Sequence, residues 1–338
     1  MKSASRTRRN ALFGLLAFVV VALFVCDLTS GSVGIGWREV WSLLTGGPCD
    51  PTARDIIVKI RLIKALVAVL AGCSLAAAGL LMQTLFRNPL AGPFVLGISS
   101  GASLGVALFL LGAPLLGVAG HSLLASVGAA GAAWIGSGLI LLSIMALSRR
   151  IKDIMVILIL GMMFGSAVGA LVEILQYMSN EAALKSFVVW TMGSLGDVTS
   201  TQLQLFVPAV AAGAGLTFAV LKPLNLLLLG ERYARTMGLN VRRTRMLILV
   251  ATTLLSGTVT AFCGPIGFVG LAVPHLARML FASADHRVLM PASMLLGAAM
   301  LLICDLCSKR LALPVNTLTA LMGIPIVVWV VVRNKNIV

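Results

Sequence analysis

Residues 60–82 read IRLIKALVAVLAGCSLAAAGLLM, and the only charges in this run, Arg61 and Lys64, fall within its first five positions. A helix rises about 1.5 Å per residue, so a stretch of this length crosses the roughly 30 Å hydrocarbon layer of a bilayer. Working outward, comparable apolar runs occupy about 11–29, 94–112, 122–147, 154–178, 201–221, 244–262, 267–281, 288–308 and 315–332. With 59% hydrophobic and 11% charged residues over 338 positions, a soluble class is excluded. The expected fold is all-α, a single polytopic domain over 1–338 with about ten transmembrane helices.

The formal charge of +15 does not mark a nucleic-acid protein, because the basic residues lie in short groups between apolar runs and gather on no single polar face. Their placement sets topology. Loops rich in Lys and Arg stay on the cytoplasmic side of a membrane. With the basic tail 1–10 inside and ten spans, 18 of the 26 Lys and Arg fall inside, which places both termini in the cytoplasm. The tail and first run resemble a secretory signal, but no A-x-A site follows, so the reading is an uncleaved first span. Five of the eight outer charges lie between Arg38 and Lys64, and two more are Lys309 and Arg310. Either they snorkel in solvated loops or they form a docking surface for an acidic partner.

Between the first two spans, 30–59 reads as a periplasmic loop, and its Trp37-Arg38-Glu39-Val40-Trp41 stretch suits a short interfacial helix. Glycines at 97, 101 and 105, and at 161, 165 and 169, are spaced for close helix packing. Gly92-Pro93 and Gly264-Pro265 each precede a short glycine-rich span, one in each half, as in an inverted repeat.

The chain has no Gly-x-x-x-x-Gly-Lys-Ser/Thr loop, no His-Glu-x-x-His and no Gly-x-Ser-x-Gly, so it is expected to be neither an ATPase nor a common membrane hydrolase. Ion-coupled carriers keep acids deep in their spans. Here the candidates are Asp27, Glu173 and Asp305, all toward outer helix ends, and Glu173 is the deepest. Each serves either the permeation path or a neighbouring cation. His121 lies at a loop and His275 and His286 flank an inner helix end, where capping or interfacial hydrogen bonding is the default and haem ligation the alternative. Cys304 and Cys307 have ligand-like spacing but lack partner ligands, so no metal site is expected. The largest inner loop, 222–243, carries Gly230-Glu231-Arg232-Tyr233-Ala234-Arg235-Thr236-Met237-Gly238, with Glu231, Ala234, Arg235 and Gly238 at helical spacing. It is either an ordinary basic loop or the place where a separate motor attaches.

Several ordered motifs resemble the FecCD-type permeases of ABC importers, the family of vitamin B12, haem and ferric-siderophore permeases. They are Gln83-x-x-Phe86-Arg87-Asn88-Pro89-Leu90-Ala91-Gly92-Pro93, Leu96-Gly97-Ile98-Ser99-Ser100-Gly101-Ala102, Trp190-Thr191-Met192-Gly193-Ser194-Leu195, the Gly230-Glu231 loop, Gly264-Pro265-Ile266-Gly267-Phe268-Val269-Gly270-Leu271-x-x-Pro274-His275, Asp285-His286-Arg287 and Leu313-Pro314-Val315. The resemblance runs from about Arg61 onward.

It implies a cobalamin-permease-like homodimer in the inner membrane that moves its substrate by alternating access along the dimer interface. Two cytoplasmic ATPase subunits hold the ATP and Mg, a periplasmic binding protein delivers the substrate, and this subunit carries no cofactor. The family's outer Arg-Leu-Pro-Arg segment, which receives acids of the binding protein, matches Arg61-Leu62-Ile63-Lys64. Lys64 keeps the charge there but loses the bidentate geometry of arginine. A third family arginine falls on Lys309, beside Arg310. Asn88 and Leu90 match the cytoplasmic gate, with its partner loop at Ile154 and Met155. Gly230, Glu231, Arg232, Ala234, Arg235 and Gly238 match the coupling helix that seats in the ATPase. The alternative, an ion-coupled carrier or efflux protein, would depend on Glu173 or Asp305.

Overall fold

A computed structural model describes residues 2–31, 33–48, 50–112, 122–151 and 153–333. They form helices α1 (Lys2–Thr29), α2 (Trp37–Leu44), α3 (Pro51–Leu85), α4 (Ile98–Gly112), α5 (Ser122–Arg150), α6 (Ile154–Met178) and α7 (Glu181–Thr191). The second half holds α8 (Ser200–Ala219), α9 (Leu221–Leu228), α10 (Glu231–Thr236), α11 (Val241–Cys263), α12 (Val269–Phe281), α13 (His286–Leu311) and α14 (Val315–Arg333). Among the described residues, seven helices are long and apolar enough to cross a membrane, and α4, α12 and the apolar part of α14 are shorter apolar helices. These are the ten expected runs.

Helix ends follow local chemistry. Asp50 caps the start of α3 by accepting the Ala53 amide at 3.1 Å, with Pro51 in the first turn where no amide is needed. Thr199 and Gln202 form a reciprocal capping box at α8. The helix α3 is longer than the run that announced it, starting at Pro51 inside the expected 30–59 loop and passing through a π turn at Ile57–Arg61. A further π turn interrupts α11 at Thr253–Gly257, and another forms the last turn of α4 at Leu108–Gly112. The run at 94–112 is broken at Gly97, whose φ of +75° separates a 3-10 turn (Pro93–Leu96) from α4.

The bundle is organised around α3, 78% of whose most apolar window is buried against 17% for α1. Glycine makes this possible. A Cβ on Gly72 would overlap the Gly297 carbonyl of α13, and one on Gly79 the Gly270 carbonyl of α12. Without side chains between them, these backbones touch, and dispersion between close surfaces replaces the hydrophobic drive that lipid does not supply. Gly101 and Gly105 likewise meet Gly136 and Ala132 of α5, while Gly97 faces Gly161 and Gly165 of α6. Gly169, read as part of the same packing row, has nothing near its Cβ position.

Candidate functional sites at the two ends of the bundle

At one end, α3 finishes in a Schellman motif: the Asn88 amide donates to the Gln83 carbonyl (3.1 Å) and the Arg87 amide to the Thr84 carbonyl (3.3 Å). The left-handed position in such a motif usually holds glycine. Here it is Arg87, at φ +48°. Asn88 then tightens the turn by accepting the Leu90 amide at 2.9 Å, and Leu90 is left exposed. At the start of α6, Asp153 accepts the Met155 amide at 2.8 Å and leaves Met155 exposed.

Beside this turn lies α10. Gly230 enters it at φ +102° and Gly238 leaves it at φ +81°, with the Leu239 amide donating to the Ala234 carbonyl at 3.0 Å. Ala234 is fully buried, whereas Arg232, Tyr233, Arg235, Thr236 and Met237 face out. Glu231 anchors the helix from within, 2.8 Å from the near-buried Arg245 of α11 and 3.4 Å from Arg235. Thus the 222–243 stretch is folded into α9, α10 and the start of α11. A cleft of about 710 Å³ brings Arg87, Asp153 and Ile154 together with Glu231, Arg232 and Arg235. Of the candidate gate residues Ile154 lines this cleft with the candidate motor attachment; Asn88, Leu90 and Met155 do not, though Arg87, next to Asn88, does.

Behind that cleft His275, Arg278, Asp285 and His286 join a polar network whose partners on other helices the sequence does not name. On α3, Gln83 donates to the Leu271 carbonyl at 3.2 Å and accepts from Arg278 at 2.7 Å. From α12, His275 donates to the Pro89 carbonyl at 2.9 Å, fixing the turn. Thr84 lies 2.7 Å from His286 Nε2, and His286 Nδ1 lies 2.7 Å from Asn225 Oδ1 on α9. Asn225 Nδ2 donates in turn to Asp285 at 2.7 Å. Asp285 caps α13 by accepting the Arg287 amide, and this bond, with the Asn225 amide and the nearby Arg287 charge, holds its carboxyl below the usual carboxylate range. The signal available in sequence was the polar triplet Asp285-His286-Arg287 beside an apolar run. Nothing in it named Asn225 or Thr84 as partners.

At the opposite end, the four basic residues read as a docking surface are placed differently from one another. Arg61 is buried on the π turn of α3, donating to the Leu28 and Thr29 carbonyls at 2.9 Å each and to the Val33 carbonyl. It therefore satisfies the last carbonyls of α1, at the negative end of that helix dipole. Gly31 leaves room for it, since a Cβ there would lie 2.8 Å from the guanidinium. Lys64 pairs with Asp305 at 2.9 Å, and Lys309 lies between Asp27 (2.8 Å) and Asp305 (2.9 Å). Both carboxylates are fully buried. Arg310 is exposed.

Glu173 is exposed on α6, and the exposed large side chains of that helix include Met162, Met163, Leu171 and Ile174. His275 and His286 are both engaged by protein groups, and His121 lies outside the described residues. Cys304 Sγ meets Met322 Sδ at 3.5 Å, and no group of three or more His, Cys, Asp or Glu close enough to hold a metal occurs among the described residues. The Trp190–Leu195 motif closes the same end as Arg61. There the Ser194 amide donates to the Cys263 carbonyl at 2.8 Å and the Asn316 amide to the Met192 carbonyl at 3.3 Å.

Comparison with known proteins matches residues 18–333 to the model of the FecCD transport family. The hemin transport system permease protein of Yersinia pestis is 36% identical, with 98% of each chain covered. The vitamin B12 import system permease protein of Klebsiella pneumoniae is also 36% identical, over 98% of this chain and 96% of its own. Among solved structures, an inward-facing conformation of a metal-chelate type ABC transporter superposes with a TM-score of 0.84 at 29% identity, covering 96% of this chain and 99% of the other.

Proposed function

The chain belongs to the FecCD transport family, and from that premise we propose that it is the pore-forming half of a homodimeric ABC importer that carries haem, cobalamin or a ferric chelate inward. The observation that supports this reading is the cleft in which a short helix with an exposed basic and aromatic face adjoins Arg87 and Ile154. A separate ATPase, holding ATP and Mg, seats against Arg232, Tyr233 and Arg235, while Gly230, Glu231, Ala234 and Gly238 fix the shape of what it grips. Nucleotide-driven closure then moves this helix against the gate formed by Asn88, Leu90, Ile154 and Met155. No covalent chemistry falls to this subunit.

The placement of 18 of 26 basic residues supports a cytoplasmic Asn88 end and cytoplasmic termini in the inner membrane. On that orientation a periplasmic binding protein docks at the Arg61 end. Arg310 meets it directly; Lys64 and Lys309, neutralised by Asp27 and Asp305, brace the helix ends behind it, and Arg61 keeps α1 in place beneath it. The apolar exposed face of α6 fits a second copy of the chain, with the path between the two.

Reconstitution in liposomes with the ATPase and binding protein tests the reading. ATP-dependent uptake of hemin, cyanocobalamin or ferric dicitrate is expected, and the absorption spectrum of ligand on the binding protein identifies which. Uptake driven by a proton or sodium gradient through the chain alone would defeat it.

A further inference from the structure

The two hydrogen bonds of the His286 ring serve no backbone group. The start of α13 is already capped, because Asp285 accepts the Arg287 amide at 2.9 Å and Asn225 Oδ1 accepts the His286 amide at 2.9 Å. Yet the His286 ring bridges onward from Asn225 to Thr84, and both His286 and Thr84 are buried. Burying a polar ring between apolar helices is costly unless its partners are fixed, so such a bridge holds its three helices in one arrangement.

Its direction can be read from the acceptors. Asn225 Oδ1 receives the His286 amide while Nδ2 gives to Asp285, which fixes the amide orientation. The His286 proton therefore sits on Nδ1 and points at Asn225, leaving Nε2 to accept from the Thr84 hydroxyl. Thr84 also lies 2.9 Å from the Leu80 carbonyl and shares its proton between the two.

The elements joined this way are the two halves of the candidate machine. Asn225 sits on α9, which Leu229 and Gly230 connect to α10. Thr84 lies in the last turn of α3, and its neighbour Gln83 holds both the Asn88 amide and Arg278. His275, one turn before Arg278, holds the Pro89 carbonyl. We propose that Thr84, His286 and Asn225 are positioning residues that transmit movement of α9 and α10 to the Asn88 gate turn. This rests on the reading of α10 as the ATPase seat. It goes beyond that reading in naming the side chains that couple the seat to the gate.

The test uses the assembled complex with its ATPase, carrying spin labels on cysteines introduced at Leu90 and Met155, with Cys26, Cys49, Cys73 and Cys307 replaced by serine. The label separation is compared without nucleotide and after trapping with ATP, Mg and vanadate. In Thr84→Val, which keeps the side-chain shape and removes the hydroxyl, ATP hydrolysis should stay within about twofold of the parent while the nucleotide-driven change in separation falls by more than half. Thr84→Ser should restore the change, and Asn225→Asp, which sets a second carboxylate against Asp285, should lose it like Thr84→Val. A full change in both Thr84→Val and Asn225→Asp would overturn the proposal. So would hydrolysis, complex yield and separation falling together in Thr84→Val and Thr84→Ser alike, since that is a structural defect. If the parent complex itself shows no nucleotide-dependent change, the ATPase-seat reading fails with it.

Discussion

Lys309 of α13 lies 2.8 Å from the carboxylate of Asp27 at the end of α1, and its ammonium also donates to the Asp27 carbonyl at 3.2 Å. The least buried of the long helices is fastened by this contact to one of the most buried. The same ammonium reaches Asp305, which Lys64 also pairs, so removing Lys309 strands the buried carboxylate of Asp27 and leaves Asp305 to Lys64 alone. Breaking a buried pair from one side costs about 3–5 kcal/mol. Lys309→Met should accordingly lower the melting temperature in detergent sharply, and adding Asp27→Asn should recover part of the loss. Equal melting of Lys309→Met and the parent would show that the cluster holds nothing together.

Arg61 and Arg310 separate structure from recognition. Arg61→Ala removes the donor from the closing carbonyls of α1 and should cost about 2 kcal/mol, as charged hydrogen bonds do. Arg310→Glu, at an exposed position, should leave melting unchanged and weaken stimulation of ATP hydrolysis by the binding protein at least several-fold. Unaltered stimulation in Arg310→Glu would remove it from the docking surface.

Gly72→Ala forces a methyl group into the Gly297 carbonyl, and overpacking of this kind costs about 1–3 kcal/mol. Gly14→Ala has open space around it on α1 and should be neutral or slightly stabilising. Paired melting curves decide the matter, and similar values for the two variants would contradict the tight α3–α13 approach.

At Arg87 strain and function pull apart. Glycine at this left-handed position should raise stability by up to about 1 kcal/mol. The guanidinium lies near Gly230 and lines the cleft shared with α10, so Arg87→Gly should also reduce ATP-driven uptake. A variant both more stable and fully active would make Arg87 incidental to coupling.

Asp285 carries a pH dependence of known sign. Its folded pKa lies below the ordinary value of about 3.9, so its contribution is present above that value and is lost as pH falls through the folded pKa. Asp285→Ala should be less stable than the parent by about 1 kcal/mol at neutral pH, with the gap closing in acid below about pH 4. A gap that holds constant into acid would assign the cap's effect to shape instead of charge.

Much of the fold was legible because bilayer thickness imposes its length on the sequence. The run at 60–82 and its nine counterparts each became a helix, with shifts at their ends where caps such as Asp50 or left-handed residues such as Gly97 decide the boundary. The helical character of Glu231–Thr236 was also readable, since Gly230 and Gly238 mark where the backbone must leave ordinary helical angles. The environment of Arg61 was not. Charge and an outer position fit a docking residue equally well whether the side chain reaches outward or turns back onto α1, and only the approach of Gly31 and the free carbonyls of Leu28 and Thr29 selects the second.

The sequence by itself determined that this chain is a bundle of about ten membrane helices, which end is more basic, and which family it resembles, because each is written in local composition and spacing. The tertiary structure alone decided which polar residues share a site. Thr84 and His286 stand 202 positions apart, and Asp27 and Lys309 are separated by 282. Hydropathy treats each of these as an isolated exception to an apolar run. They become pairs only when glycine-lined helices pack closely enough to bring them within hydrogen-bonding distance.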